Sequence, residues 1–417
     1  MRILNVSAQK PDSTGSGVYL AETVRCELAL GHEAAVICGI DAADAPALPP
    51  GVRLFPVRFN TPELPFPVAG MSDEMPYAAT RYRDFTPAMT AAFKRAFAAR
   101  VAQALDEFMP DVIVCHHLYL ATAIVRECAP DLPVYAICHS TELRQMASHG
   151  LEHDFILRGV RALDGVFALH EAQAAAIVEQ YACDPARVRV LGTGYDARLF
   201  KRAPRAAREG EREDEGATAP ERAPVPAPLR LLYVGKIWEK KGVGCLLEAF
   251  DQFDPGPRGA TLCLVGGHND EEEHRRFAAR AAACRHPVEF AGRLTPEELA
   301  PRYQQADVFV LPSFFEGLPL VVVEALACGC RVVVSDLPGI RPWLSSSVPD
   351  APVVYVPPAR MLSLDEPDPA DLPAFSARIA RALEKAAALP PCTADLTPLS
   401  WEGLTRRLVA FLDASPA

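Results

Sequence analysis

Residues 308–329 read VFVLPSFFEGLPLVVVEALACG, and the way this stretch divides decides the fold. Its first four residues, 308–311, form a short apolar run rich in β-branched side chains, as expected of a strand buried on both faces. Pro312 to Leu318 then read as a loop carrying a single charge, Glu316. Pro319 suits the first turn of a helix, where its missing N–H would have had no partner anyway. The following apolar run is long enough for two helical turns, and Gly329 supplies the stop. Strand, loop and helix therefore follow one another in a single short segment.

The same alternation extends outward in both directions. In the second half, strands are expected at 231–234, 262–265, 288–290, 308–311, 331–334 and 353–356, with helices between them. In the first half, strands are expected at 2–7, 34–38, 111–115, 134–138, 165–169 and 188–191, with helices including 17–30 and 87–108. Strands of three to six residues separated by helices imply parallel sheets covered on both faces, an α/β class of doubly wound domain. Between the halves, residues 201–228 hold almost no large apolar side chains and many Pro, Ala and charged groups. Such a segment cannot bury enough surface to offset its ordering entropy, so it is read as a disordered linker or insertion. The expected division is an N-terminal Rossmann-like domain over 1–200, the linker at 201–228, a second Rossmann-like domain over 229–392, and a terminal segment over 393–417. That last segment carries an amphipathic helix containing Trp401, Leu404, Leu408, Phe411 and Leu412. Two such domains would face each other across a cleft at the carboxyl ends of both sheets, where open α/β folds bind ligands.

Composition narrows the function. The chain has 417 residues, half of them hydrophobic, and a net charge of −11. An extended nucleic-acid surface is therefore not expected, although a local basic pocket is allowed. Twelve scattered cysteines show no Cys-x-x-Cys pair or zinc spacing and read as reduced, buried thiols of a cytoplasmic protein. The opening residues read as a strand and not as a signal peptide, and no apolar run approaches the length of a membrane span. The helix around Phe93, Lys94, Arg95, Phe97 and Arg100 is the one stretch suited to peripheral contact with an anionic bilayer, with an ordinary packed helix as the favoured reading.

Four constellations carry chemistry. Glu316 and Glu324 sit near one helix mouth, Glu324 about 7 Å along the axis from its start. Paired carboxylates suit polyhydroxylated ligands because each oxygen accepts sugar hydroxyls. Glu324 lies among Val, Ala and Leu, where an unpartnered charge would be costly. The loop Gly235-Lys236-Ile237-Trp238-Glu239-Lys240-Lys241-Gly242 gathers three of the chain's seven lysines. Lys236 and Lys241 are read as phosphate-binding point charges, and Lys240 as an exposed turn residue. Ser13-Thr14-Gly15-Ser16-Gly17 opens the first helix, and its glycines let backbone N–H groups approach a phosphate or sugar. It is not the dinucleotide fingerprint, because Leu20 stands where a third glycine belongs. Histidines follow strands at His116-His117 and at His139. His149 and His153 have helical spacing but no third metal ligand and read as a surface pair. His170 ends a strand without further mark. No nucleophile elbow, Walker loop or Asp-x-Asp triplet occurs.

Together these residues resemble the retaining glycosyltransferases of family GT4, which have the GT-B fold. Glu316-Gly-Leu-Pro-Leu through Glu324-Ala-Leu-Ala-Cys-Gly is close to that family's paired-glutamate motif. Gly235-Lys236 through Lys241-Gly242 resembles its phosphate loop, and Ala291-Gly-Arg-Leu294 with Tyr303-x-x-Ala-Asp-Val308 resembles the segment before the glutamates. The resemblance implies that Glu316 contacts the donor sugar and Glu324 the ribose. It implies that Lys236, Lys241 and the helix terminus at Leu320 neutralise a diphosphate, that His139 lies beside the donor sugar, and that Gly15 and Gly17 lie near the diphosphate and acceptor. The terminal helix is expected to cross back onto the first domain. Gly192-Thr-Gly-Tyr-Asp196, where Asn-Gly-Val-Asp is usual, and His170 in place of a serine depart from the family pattern. The expected activity is transfer of a sugar from a nucleotide-diphosphate sugar to an acceptor hydroxyl of a glycan, glycolipid or small molecule. His139, Lys241 and Glu316 are the expected catalytic residues, and no metal or other cofactor is expected. A sugar-nucleotide epimerase of the same fold and a non-catalytic sugar-nucleotide-binding subunit are the alternatives. Donor nucleotide, acceptor and oligomeric state are not legible.

Overall fold

A computed structural model describes residues 1–11, 13–72, 75–203, 227–363 and 366–414. The chain divides into two units, Met1–Gly194 with Trp401–Ala417, and Tyr195–Ser400.

The first unit is built on a parallel sheet whose strands are β1 (Arg2–Ser7), β2 (Glu33–Asp41), β3 (Arg53–Phe59), β6 (Val112–His116), β7 (Val134–Ile137), β8 (Gly165–Ala168) and β9 (Val188–Val190). The two-residue strands β4 (Ala69–Gly70) and β5 (Thr80–Arg81) pair separately. The main sheet runs in the order β3-β2-β1-β6-β7-β8-β9. The central strands bury nearly every side chain, as a sheet covered by helices on both faces requires. β3 was not expected from the sequence. Pro56 interrupts its pattern and lacks an N–H for the ladder, which is why the strand sits at the sheet edge beside β2.

The second unit carries β10 (Leu229–Val234), β11 (Ala260–Val265), β12 (Val288–Gly292), β13 (Val308–Leu311), β14 (Arg331–Ser335) and β15 (Val353–Val356). They form a parallel sheet in the order β12-β11-β10-β13-β14-β15. β13 is entirely buried, and the helix Leu320–Ala327 begins directly after Pro319. Gly329 has φ +94°, the left-handed geometry that ends this helix without a Cβ penalty.

Two boundaries differ from those expected. The first unit ends at Gly194 and not at residue 200, because Tyr195 and Phe200 are buried in the core of the second. The terminal segment rejoins the first unit at Trp401 and not at 393, because Cys392, Leu396 and Leu399 belong to the second core. The helix Trp401–Asp413 packs its Trp401 ring against Tyr19, with centroids 5.0 Å apart. Gly194 makes room for that ring, since a Cβ there would lie 2.3 Å from a Trp401 ring carbon. The expected linker at 201–228 lies largely outside the described residues.

Among the described residues no helix is long and apolar enough to cross a membrane. The helix Pro87–Glu107, considered for bilayer contact, buries Phe93 and Phe97 completely in the first core, so those rings are not available to lipid. Its Lys94 pairs with Glu152 at 2.5 Å and lies over the Phe155 ring.

Candidate functional site

β10 and β13 are parallel neighbours, with Leu231 opposite Val308, so the loops leaving their carboxyl ends emerge side by side. The backbone N–H of Phe314 donates to the Lys240 carbonyl at 3.2 Å and ties the two loops together. At Gly242, φ is +71° and a Cβ would lie 2.1 Å from the Pro312 carbonyl oxygen, so only glycine allows this approach. Across the seam, Lys241 Nζ donates to Glu316 Oε1 at 2.7 Å, and Ser313 Oγ donates to the same oxygen at 2.7 Å. Both partners of the ion pair are half-buried.

Lys236 lies on the side toward β11, whose loop is joined to the lysine loop by a bond from Ile237 N–H to the Gly267 carbonyl at 2.9 Å. Its ammonium sits 4.3 Å from the centroid of the Trp238 ring. With the Asn269 amide oriented to satisfy both its ends, that side chain accepts from Lys236 Nζ at 3.0 Å and donates to the His268 carbonyl at 3.2 Å. Lys240, read from the sequence as a plain turn residue, places its ammonium 5.3 Å from the same Trp238 ring.

The helix Leu320–Ala327 has Pro319 at its N-cap, and no side chain caps it. The N–H of Val322 already donates to the Pro319 carbonyl at 3.2 Å, so those of Leu320 and Val321 are the ones left for water or a ligand, and the helix dipole favours an anion there. One turn in, Glu324 is half-buried and accepts a hydrogen bond from the Tyr303 hydroxyl at 3.1 Å. Tyr303 is fully buried, with its ring against Phe200 and Phe309. Burial pushes the Glu324 carboxyl up to about 7, the nearby Asp196 charge adding to the rise while the Tyr303 bond opposes it. Near neutral pH the group is thus divided between acid and carboxylate.

In the first unit, Thr14 caps the first helix by accepting from Gly17 N–H at 3.1 Å, and Ser16 Oγ donates to Gln9 Oε1 at 3.1 Å. A Cβ on Gly15 would meet no atom of the chain within 4 Å, so nothing internal demands a glycine there. His116 ends β6 and His139 follows β7, its neighbour in the sheet. Their rings stack with centroids 5.3 Å apart and planes 9° apart, and His116 Nδ1 lies 3.1 Å from His139 Nε2. Tyr19 presents its ring edge to both. Burial first, then the neighbouring His117, pushes His139 down to about 3, and burial with both neighbours holds His116 well below the usual imidazole range. Both imidazoles are therefore neutral, each with one N–H, and one of those two protons lies in the bond between the rings.

Other histidines have local tasks. His170 caps the helix Glu171–Tyr181, its Nδ1 accepting from Gln173 N–H at 3.2 Å, which is work a serine also does. His149 and His153 are half-buried and not a surface pair; His149 Nε2 lies 2.7 Å from Gln145 Oε1. Among the described residues no group of three or more His, Cys, Asp or Glu side chains is placed to hold one metal ion.

The structure thus joins Lys241 to Glu316 directly and carries Lys236, Leu320 and Glu324 on loops and a helix at the same end of the second sheet. Gly15, Gly17 and His139 lie at the carboxyl ends of strands in the first. Ser313, Asn269, Trp238 and Tyr303 were not assigned roles from the sequence. Ser313 and Tyr303 stand inside the quoted motifs, but their partners lie 3 and 21 residues away and only folding shows the pairing. Nothing in the sequence marks Asn269.

Comparison with known proteins places these elements in context. Residues 13–199 match the family described as Glycosyltransferase Family 4, and residues 228–362 match Glycosyl transferases group 1. Glycogen synthase of Mycobacterium tuberculosis is 26% identical over 361 residues, covering 82% of this chain and 79% of that protein. D-inositol 3-phosphate glycosyltransferase of Acidothermus cellulolyticus is 27% identical over 351 residues, covering 79% and 72%. Among solved structures, sucrose-phosphate synthase of Thermosynechococcus elongatus superposes with a TM-score of 0.62 at 19% identity, covering 99% of this chain and 98% of that one. HepE of Anabaena in complex with UDP gives 0.61 at 15% identity, covering both chains completely. At such identities the structural likeness establishes the fold, which is that of GT-B glycosyltransferases.

Proposed function

The chain belongs to the GT-B glycosyltransferases of family 4, and from that premise we propose that it moves a sugar from a nucleotide-diphosphate sugar to an acceptor hydroxyl with retention of anomeric configuration. The observation that carries this reading is the Lys241–Glu316 pair, an ammonium and a carboxylate 2.7 Å apart beside an uncapped helix N-terminus. Lys236, Lys241 and the N–H groups at Leu320 supply positive charge where the departing diphosphate develops negative charge. Glu316, its Oε1 already holding Lys241 and Ser313, offers its remaining acceptor capacity to donor-sugar hydroxyls. Glu324, as carboxylate, takes the ribose hydroxyls.

In the transfer step the bond from the anomeric carbon to the diphosphate oxygen breaks, and its electron pair stays on that oxygen. The acceptor oxygen bonds to the same face of the anomeric carbon. Its proton passes to the departing phosphate. In this reading the first unit contributes Gly15 and Gly17, whose backbone approaches the diphosphate, and neutral His139, a polar contact for the donor sugar. The two lysines provide the charge neutralisation that a metal ion provides in other enzymes.

UDP-linked donors are the first to test, because the similar HepE was solved with UDP and with UDP-glucose. Thermal-shift measurements with UDP, GDP and ADP, followed by donor turnover over a panel of polyol and sugar acceptors, test the proposal. The expected result is stabilisation by one nucleoside diphosphate, and an α-configured product from an α-configured donor by proton NMR. A β-configured product, or an epimerised donor without acceptor, would refute it.

A further inference from the structure

The carboxyl ends of β6 and β7 are bound together by a side chain that has no part in the reaction described above. Glu142, in the first turn of the helix Thr141–Ser148, is completely buried. Its Oε1 accepts from the backbone N–H of His139 at 2.8 Å and from that of Leu118 at 3.2 Å. Its Oε2 lies 3.2 Å from His117 Nδ1. Taking a carboxylate out of water is costly unless such donors replace its hydration. Burial alone would raise the Glu142 carboxyl, but His117 and the hydrogen bonds outweigh it and hold the group at about 2. An ionised carboxylate only accepts, so His117 carries a proton on Nδ1.

The two loops that meet on this carboxylate are both strained. His117 has φ +74° and Ser140 has φ +78°, the left-handed region that bulky residues avoid. Each such residue costs on the order of 1–3 kcal/mol and persists only where its surroundings enforce it. Each directly follows one of the two stacked imidazoles, His116 and His139. The strained turns therefore aim the rings, and Glu142 is the group on which both turns close.

We propose that Glu142 is a positioning residue that orients His139 toward the donor sugar by clamping the turns after β6 and β7. The clamp keeps His139 Nε2 on His116 Nδ1 and leaves His139 Nδ1 for a ligand. This rests on the reading of His139 as a donor-side residue.

The test compares E142A, E142Q, H139A and the double variant E142A/H139A in the full chain. Three quantities are read: release of UDP from UDP-glucose, UDP affinity by calorimetry, and imidazole nitrogen shifts of histidine-labelled protein. Misplacing a reacting contact by about 1 Å costs roughly a hundredfold in rate. E142A should lose turnover on that scale with UDP affinity unchanged within about twofold. E142Q, whose amide oxygen still accepts both backbone N–H groups, should recover to within about tenfold of wild type. The double variant should be no slower than H139A, because both changes remove one function. In the spectra, E142A should move the His139 and His117 signals, whereas E142Q should move only that of His117. Wild-type turnover in E142A, a loss that adds in full to that of H139A, or unmoved His139 signals would each overturn the proposal. If H139A itself turns over at the wild-type rate, the donor-side role of His139 fails, and the spectra still decide whether Glu142 orients the ring. Should E142A not fold, E142Q carries the comparison, and a His139 signal that moves with that of His117 would count against the backbone clamp.

Discussion

In the proposed reading Glu324 holds the ribose as a carboxylate; burial raises its pKa and the Tyr303 hydroxyl holds it back, so replacing Tyr303 with phenylalanine gives a quantitative test. The substitution removes one hydroxyl from a fully buried ring and leaves the packing against Phe200 and Phe309 in place. The lost bond, at 3.1 Å to Glu324 Oε2, favours the ionised carboxylate. A hydrogen bond to a charged group contributes about 1.5–3 kcal/mol, and one pKa unit is about 1.4 kcal/mol, so the carboxyl should rise by about one to two units. With Glu324 at about 7 in the native protein, half of it is ionised at pH 7. In Y303F that fraction falls to between about a tenth and a hundredth. If the carboxylate form holds the ribose, binding is lost as pH falls through this pKa. Y303F should therefore bind nucleoside diphosphate about fivefold to fiftyfold more weakly at pH 7, and within about twofold of wild type at pH 9. Calorimetric titration of UDP, or of whichever diphosphate stabilises the protein, from pH 6 to 9 reads both curves. A defect of equal size at every pH, or no defect at pH 7, would refute the reasoning.

Other consequences follow from single contacts. K241A should lower kcat/KM by about a hundredfold to a thousandfold, the scale of removing one charge-stabilising donor. Its melting temperature should change little, because the half-buried pair with Glu316 is still partly solvated and contributes on the order of 1 kcal/mol, and Glu316 keeps its bond from Ser313. Wild-type turnover in this variant would sink the donor-site assignment. G194A forces a Cβ into the Trp401 ring and should destabilise the first unit by about 1–3 kcal/mol; an unchanged melting curve would show that the terminal helix does not depend on this contact. Glu27 is fully buried, bonded by Asn5 Nδ2 at 2.8 Å, and pushed by burial up to about 8. A folded-state pKa raised above the ordinary value of 4.5 stabilises the protein below 4.5 and loses that contribution as pH rises toward 8. E27Q stays neutral throughout and should flatten this decline in urea unfolding between pH 5 and 8; parallel curves for the two proteins would contradict it.

Local sequence determined the alternation of strands and helices, because buried parallel strands and their covering helices write their periods into neighbouring residues. The stretch 308–329 announced β13, its loop, the helix after Pro319 and the stop at Gly329, and the structure shows all four. The glutamate pair and the lysine loop were legible as residue types because Glu324 stood among apolar neighbours and lysine is scarce in this chain. β3 was not legible, since Pro56 erases the strand pattern and only its place at the sheet edge makes the proline tolerable. Nor were the domain limits, because whether Tyr195, Phe200 or Leu399 joins one core or the other depends on which surfaces fold nearby. The side-chain partnerships belong to tertiary structure alone. Lys241 meets Glu316 75 positions away because β10 and β13 are sheet neighbours, and Glu142 meets Leu118 because β6 and β7 are. Periodicity is a property of consecutive residues and survives in the sequence, whereas a contact between distant residues exists only once strand order has brought them together.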